Sequence, residues 1–441
     1  MAVNRRRFLI GAAGVAIGGA ATSGLAACAP GSSGGGSQGG GGGGTPGEGN
    51  LALAFWGNPV RNKNTQAEVA AYMKANPKVK ISTQPGEFNT YWDKLATQTA
   101  GGTAPDIIQM DMAYIAEYGA RGALLDLAKY GVDTAKFVEG TVDSGKIDGT
   151  LVGANAGINS AVLFVNAKVF DKAKMDLPDD TTWTWDDLMQ VAAEVASKAG
   201  VAHGVASMFG SDAFFGAFLR QNGKELFNDQ GLAFDASDAQ EWFDLMVKYQ
   251  KAKAIAPPQE ISEESTRPLD QSAVVVGKAA MQYYNSNQLE AVNAVAADPI
   301  QMLRYPSRTG KATERKAWYK ASMLWSASSK TKNPEAAGAW INWWVNSPDA
   351  ANIDLAERGI PANGELQQQV QSKLSKDQQV VAKFIADIKP ELGPTPIAPP
   401  PGGGTLGSVM FRHQTDVLFG RKSTADAAKA FVDEVKSNLK V

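Results

Sequence analysis

The chain has 441 residues, 44% of them hydrophobic and 20% charged, with a formal net charge of −2. That balance supplies no basic surface for nucleic acid, and a single cysteine, Cys28, leaves no intramolecular disulfide to form. The only two histidines, His203 and His413, have no second histidine or cysteine near them in sequence, which argues against a zinc site.

Arg5, Arg6 and Arg7 precede an uncharged run from Phe8 to Ala27 that is diluted by glycines at 11, 14, 18, 19 and 24. The layout is that of an export signal, expected over residues 1–27. Arg5-Arg6-Arg7-Phe8-Leu9 resembles the twin-arginine type. Leu25-Ala26-Ala27-Cys28 resembles a bacterial lipobox, which would acylate the sulfur of Cys28 and cut the chain before it. Residues 28–50 are rich in Gly and Ser and read as a flexible tether. No later apolar run approaches membrane-spanning length.

LALAFW (51–56) alternates as a strand and breaks at Gly57 and Pro59. Thr65-x-x-Glu68 reads as a capping box that opens a helix, which Pro77 ends. KVKIST (78–83) is a second strand, a helix covers roughly 90–100, and APDIIQMD (104–111) holds a third strand. The β-α-β-α-β order predicts a parallel α/β sheet. Further on, SAVLFVN (160–166) and VAHGVAS (201–207) read as strands. Helices are expected after Thr184-x-x-Asp187, over 241–250, over 334–347 and over 424–439. GPTPIAPPPGGGTLG (393–407) is a loop.

No G-x-S-x-G, HExxH or Walker A motif occurs. Gly402-x-Gly404-x-x-Gly407 matches a dinucleotide fingerprint but follows a proline run instead of a strand. In open α/β sheets ligands sit beyond the carboxyl ends of strands. Trp56 and Arg61 after the first strand, Glu87 after the second, and Asp111 and Tyr114 after the third are therefore candidate contacts. Of the ten tryptophans, Trp242, Trp340, Trp343 and Trp344 fall on apolar helix faces and read as core. Trp183 and Trp185, before a helix, read as packing. Trp56 and Trp325 are candidate ligand platforms, since an aromatic face suits the CH face of a sugar while amides and carboxylates bond its hydroxyls.

FWGNPVRNKNTQAEV (55–69), YWDKLATQTAGGTAPDIIQMD (91–111), DGTLVGANAGINSAVLFVNAKVFDKA (148–173), TWTWDDL (182–188), GKAAM (277–281), SKTKNPEAAGAWINWWVNSPDAA (329–351) and GIPAN (359–363) follow one another along nearly all of the chain after the tether. Together they resemble the extracellular solute-binding proteins of ABC sugar importers, the maltose-binding-like family, here of an actinobacterial lipoprotein type. The resemblance implies an α/β fold of two lobes, each a mainly parallel sheet flanked by helices, with a ligand cleft between them. Lobe 1 would be 51–156 plus 323–370 and lobe 2 157–322 plus 371–441. The crossings would fall near Asn155–Asn159, Ala321–Trp325 and 365–375. Beyond the residues above, it implies ligand contacts from Asn155 and Asn159, from Phe209, Ser211, Asp212 or Phe214 in the second lobe, and from Tyr284, Asn285 and Asn287. Many relatives carry an aromatic near Asn287, and Tyr283 or Tyr284 would replace it here. The implied function is capture of a mono- or oligosaccharide and its delivery to membrane permease subunits served by a cytoplasmic ATPase. The protein would be a monomer without cofactor, metal or catalytic residue, held on the outer face of the cell membrane by acyl chains on Cys28. The alternatives are the same fold taking a polyol or glycerol phosphate, and a surface glycoside hydrolase.

Overall fold

A computed structural model describes residues 48–440. The expected export signal, Cys28 and all of the tether up to residue 47 lie outside the described residues.

The tether's last two residues, Gly49 and Asn50, already belong to β1 (Gly49–Trp56), whose Leu51, Leu53 and Phe55 are buried as their alternation requires. β1 runs parallel to β2 (Val79–Gly86) and to β3 (Ile107–Met110). Helix α1 (Pro59–Ala75) starts earlier than the Thr65-x-x-Glu68 pattern predicts. Asn58 caps it through its side chain and Pro59 takes the first turn, where its missing N–H costs nothing. Thr65 and Glu68 are instead buried in the helix interior. α2 (Phe88–Ala100) and α3 (Met112–Ala120) follow β2 and β3, and Asp111 caps α3 by accepting from Ala113 N at 2.9 Å. Strand Leu324–Ala327 returns from far along the chain to pair antiparallel with β3. Ala154–Asn155 closes the five-stranded sheet beside it.

A second sheet has four strands in the order Ile300–Leu303, Ala161–Asn166, Ala279–Asn285, His203–Ala206. Only its last pair is parallel, so the mainly parallel expectation holds for the first sheet and not for this one. Strand Ala161–Asn166 enters straight from a crossing segment, and both of its neighbours pair antiparallel to it. The helices at 185–199, 236–251, 334–346 and 424–438 form where the sequence predicts them, the first behind a complete Thr184–Asp187 capping box.

Between the sheets, Ile158–Asn159 and Lys320–Ala321 form a short antiparallel ladder. Ile360 joins it through two backbone bonds to Ile158, at 2.7 and 3.0 Å. These three segments press together so closely that a Cβ on Gly157 would stand 2.2 Å from the Arg358 carbonyl oxygen. One hydrophobic core lies on the first sheet and two on the second sheet, on its opposite faces. Leu366 and Val370 share a core with Val162 and Phe164 of the second sheet.

Candidate functional site

Five rings gather at the carboxyl ends of β1 to β3. Trp56, at the end of β1, has Phe88, Tyr91 and Trp92 of α2 around it at centroid distances of 5.4, 5.2 and 5.3 Å. Trp92 in turn stacks on Tyr114 of α3, 4.0 Å away and 20° from parallel. Trp56 and Trp92 are buried, the Trp92 indole N–H has no partner, Tyr114 is half-buried, and Phe88 stays exposed. Asp111 stands at the start of α3, three residues before Tyr114, and its charge raises the Tyr114 phenol pKa, secondary to the effect of burial.

The other side comes from the second sheet. Ser211 caps the helix Asp212–Arg220. Asp212 is the first residue of that helix and keeps an exposed surface, yet protein surrounds it closely enough for desolvation to raise its carboxyl pKa. Lys320 pulls that pKa back down, and Asp111 pushes it up, so carboxylates from the two halves of the molecule feel each other. Tyr283 is held well above the usual phenol range by burial and by both Asp212 and Asp111. Lys320 pairs with Asn159 in the short ladder. Asn159 donates to Asn287 at 2.9 Å and leaves its own amide oxygen without a partner, as does Asn285. Asp111 of the first half and Lys320 beside Asn159 thus lie close enough to Asp212 to act on its charge, and Asp111 close enough to act on Tyr283.

The expected loop ends sooner than 407, because the helix Leu406–Leu418 begins inside it; the segment reaches residues of both halves. Gly404 lies against α3, where a Cβ would meet the Ala113 carbonyl at 2.5 Å, and Gly407 lies 3.9 Å from the Asp212 Cβ by the same measure. Thr395 bonds the Gly140 carbonyl at 3.0 Å. Of the glycines that imitate a nucleotide motif, Gly402 and Gly404 serve close backbone approach here, and Gly407 does not.

Several expected contacts are not at this site. Trp325 is a core residue, fully buried beneath the first sheet between Trp340 and Trp344 at 4.9 and 5.5 Å. Its strand runs antiparallel to β3 and sets it opposite Gln109, short of the ligand edge. Phe209 is also core, against Trp242 and Tyr249 at 4.9 and 5.0 Å. Asn155 is buried with both side-chain ends used: it donates to the Thr141 carbonyl and accepts from Gly157 N. Tyr284 stacks on Phe164 at 4.8 Å and donates to Ser272, because successive strand residues face opposite sides and the site lies on the side of Tyr283. Arg61 is engaged with Glu357 at 2.8 Å. Glu87, by contrast, stays at this edge of the sheet, exposed next to Phe88 and without a capping bond.

Lys320 was missed, and no local signal marks it; its position follows from strand pairing between segments 160 residues apart. Also missed is a polar cluster centred on the fully buried Arg358, which donates to Asp354 at 2.9 Å, Thr65 at 2.7 Å and Gln109 at 3.2 Å. Its guanidinium lies over Trp325 and Trp344. Glu68 sits 3.8 Å from it, yet burial holds the Glu68 carboxyl up to about 8. Glu357, pulled below its usual pKa by Arg61 and Arg358 against the effect of its own burial, closes the cluster towards α1.

Residues 67–382 match the family model described as bacterial extracellular solute-binding protein, and the chain belongs to that family. It is similar to a maltodextrin-binding protein of Bacillus subtilis, 24% identical over 354 residues that cover 77% of this chain and 78% of that one. Two solved structures share its fold. One is a periplasmic oligogalacturonide-binding protein from Yersinia enterocolitica in complex with saturated digalacturonic acid (18% identical, 89% of this chain, 100% of that one, TM-score 0.77). The other is an ABC substrate-binding protein from Listeria monocytogenes in complex with cycloalternan (21% identical, 88% and 98%, TM-score 0.73).

Proposed function

We propose that this chain is the carbohydrate receptor of an ABC importer, an exported lipoprotein that encloses a mono- or oligosaccharide between its lobes and presents it to a membrane permease. The observation that carries this reading is the pairing of an aromatic and carboxylate wall, Trp92, Tyr114 and Asp111, with a second carboxylate and phenol, Asp212 and Tyr283, over an amide floor. Sugars need such a mixture: rings for their CH faces, and carboxylates and amides for their hydroxyls. The sugar-binding relatives named above support the same class. Two carboxylates against one lysine make the cleft a poor host for a phosphate or a uronate, which sets neutral saccharides ahead of glycerol phosphate.

In this proposal the contacts are Trp56, Trp92, Asp111, Tyr114, Asn159, Asp212, Tyr283, Asn285, Asn287 and Lys320. The lobes are 51–156 and 157–322, each completed by later segments. The third boundary moves from 370 to about 360, because Leu366 and Val370 pack with the second sheet. The hinge is then the ladder of Ile158–Asn159, Lys320–Ala321 and Ile360. A ligand that touched one wall only would shift no equilibrium between open and closed forms, so closure requires contacts on both. Acylated Cys28 anchors the monomer outside the membrane, the permease and its cytoplasmic ATPase act downstream, and the receptor itself cleaves no bond.

The test is a thermal-shift panel of neutral sugars on the full chain, followed by small-angle scattering with the best binder. Bound ligand raises the melting temperature, and the radius of gyration falls at saturation. A sugar that binds without contraction refutes closure. Product formed from an oligosaccharide would make the protein an enzyme. Replacement of Cys28 by Ser releases the protein from the membrane fraction; retention there refutes the lipid anchor.

A further inference from the structure

A cavity of about 220 Å³ lies inside the second half of the molecule, along the edge strand His203–Ala206 and between the helices Ala236–Lys251, Pro258–Glu264 and Leu406–Leu418. None of Trp92, Asp111, Asp212 or Tyr283 lines it. Its apolar wall is Phe209, Met246, Ile255, Ile261, Phe411 and Leu418. The expected sugar contact Phe209 thus borders this space instead of the cleft.

Its polar lining is unusual. His203 is 1% exposed and neither of its ring nitrogens has a hydrogen-bond partner. The nearest carboxylate, Glu260, stands 4.0 Å from Nε2, beyond hydrogen-bond reach. Burial and the positive charge of Arg267 hold the imidazole pKa down to about 4, so the ring is neutral at physiological pH and offers one donor and one acceptor. Gln414, 2% exposed, has an unpartnered amide oxygen. The one carboxylate in the lining, Glu264, already accepts three hydrogen bonds, from Ala273 N, Gln282 and Arg267 at 2.9, 2.8 and 3.0 Å.

Orphaned buried polar groups of this kind each cost free energy that a partner would recover. An anion would meet Glu264 and the Gln414 oxygen, and a cation would meet a carboxylate already neutralised by Arg267. A neutral hydroxyl suits either orphan, since it can donate to the Gln414 oxygen or exchange a bond with His203, while the apolar wall takes a compact hydrocarbon body. We propose that this cavity is a second binding site, separate from the interlobe cleft, for a small neutral alcohol or phenol.

Phenol and cyclohexanol are the probes, titrated into the full chain by calorimetry, with toluene as the body without the hydroxyl. Saturable binding of phenol or cyclohexanol with a dissociation constant of about 0.1–1 mM is expected from ligands of this size. Toluene should bind at least about fivefold more weakly, because it leaves His203 and Gln414 unpaired. Ile261→Phe, at the half-buried rim, should weaken phenol about tenfold or more by filling the space. Because that variant could disturb the fold, nuclear Overhauser contacts from phenol to the methyl groups of Met246 and Ile261 are measured in the unaltered protein and should be present. Absence of saturable binding would mean a cavity filled by water only and would overturn the proposal. So would binding that survives Ile261→Phe with the Overhauser contacts missing, or toluene binding as tightly as phenol.

Discussion

Trp56 and Trp325 belong to the same sheet and carry the same ring, yet their surroundings differ in kind. Trp56 closes a parallel strand, and its neighbours Phe88, Trp92 and Tyr114 lead outward to partly open rings and to Asp111. Trp325 lies inside an antiparallel strand, boxed by two further tryptophans and the Arg358 guanidinium. Strand direction decides the difference: only the carboxyl edge of the parallel strands opens to the cleft. A tryptophan therefore says nothing about sugar until the direction of its strand is known.

The sharpest break of this comparison is Trp325→Ala. Emptying a fully buried indole site should cost about 3–5 kcal/mol of stability, seen as a large drop in melting temperature, while sugar affinity of the folded fraction stays unchanged. Normal melting with lost affinity would return Trp325 to the site. The box behind it predicts a pH effect next. Glu68 has a folded pKa of about 8 against 4.5 for the free group. The folded state therefore holds the extra proton, and stability falls as pH rises from about 4.5 to 8 and is flat outside that window. Glu68→Gln should remove that slope in denaturant titrations run across the range; an unchanged slope places its origin elsewhere.

On the open side, Tyr114→Ala removes the outermost stacked ring with little core loss and should weaken sugar binding about tenfold, near 1.4 kcal/mol, with the melting temperature nearly constant. A stability loss equal to that of Trp325→Ala would erase the distinction between the two regions. The smallest effect tests whether the walls face each other. Asp111→Asn should lower the Asp212 carboxyl pKa, because Asp111 is one of the charges that raise it. Carbon-detected NMR titration of Asp212 that shows no downward move would separate the two carboxylates.

The sequence carried the local layer of this fold well. Leu51, Leu53 and Phe55 alternate because one face of β1 is core, and Thr184–Asp187 caps its helix within four residues. Gly57 and Pro59 end the strand in the sequence, yet Asn58 followed by Pro59 is also a helix start, a signal the local pattern carries. Long-range pairing was illegible. Thr65 and Glu68 look like a cap until Arg358, some 290 residues on, accounts for their burial. The choice between Tyr283 and Tyr284 needs the register of strand Ala279–Asn285 against Ala161–Asn166, which one residue of slip would invert.

The strand Leu324–Ala327, wedged between β3 and Ala154–Asn155, sets the order in which this chain can fold. The first sheet lacks an inner strand until residue 327 has been synthesised, and the core of the second sheet lacks Leu406, Phe431 and Val432 until later still. Neither half can be cut out as one continuous fragment. Most native pairings join segments far apart in the chain, a topology that folds slowly. A growing chain would thus remain without a closed core through most of its synthesis, open to chaperones for as long as that lasts.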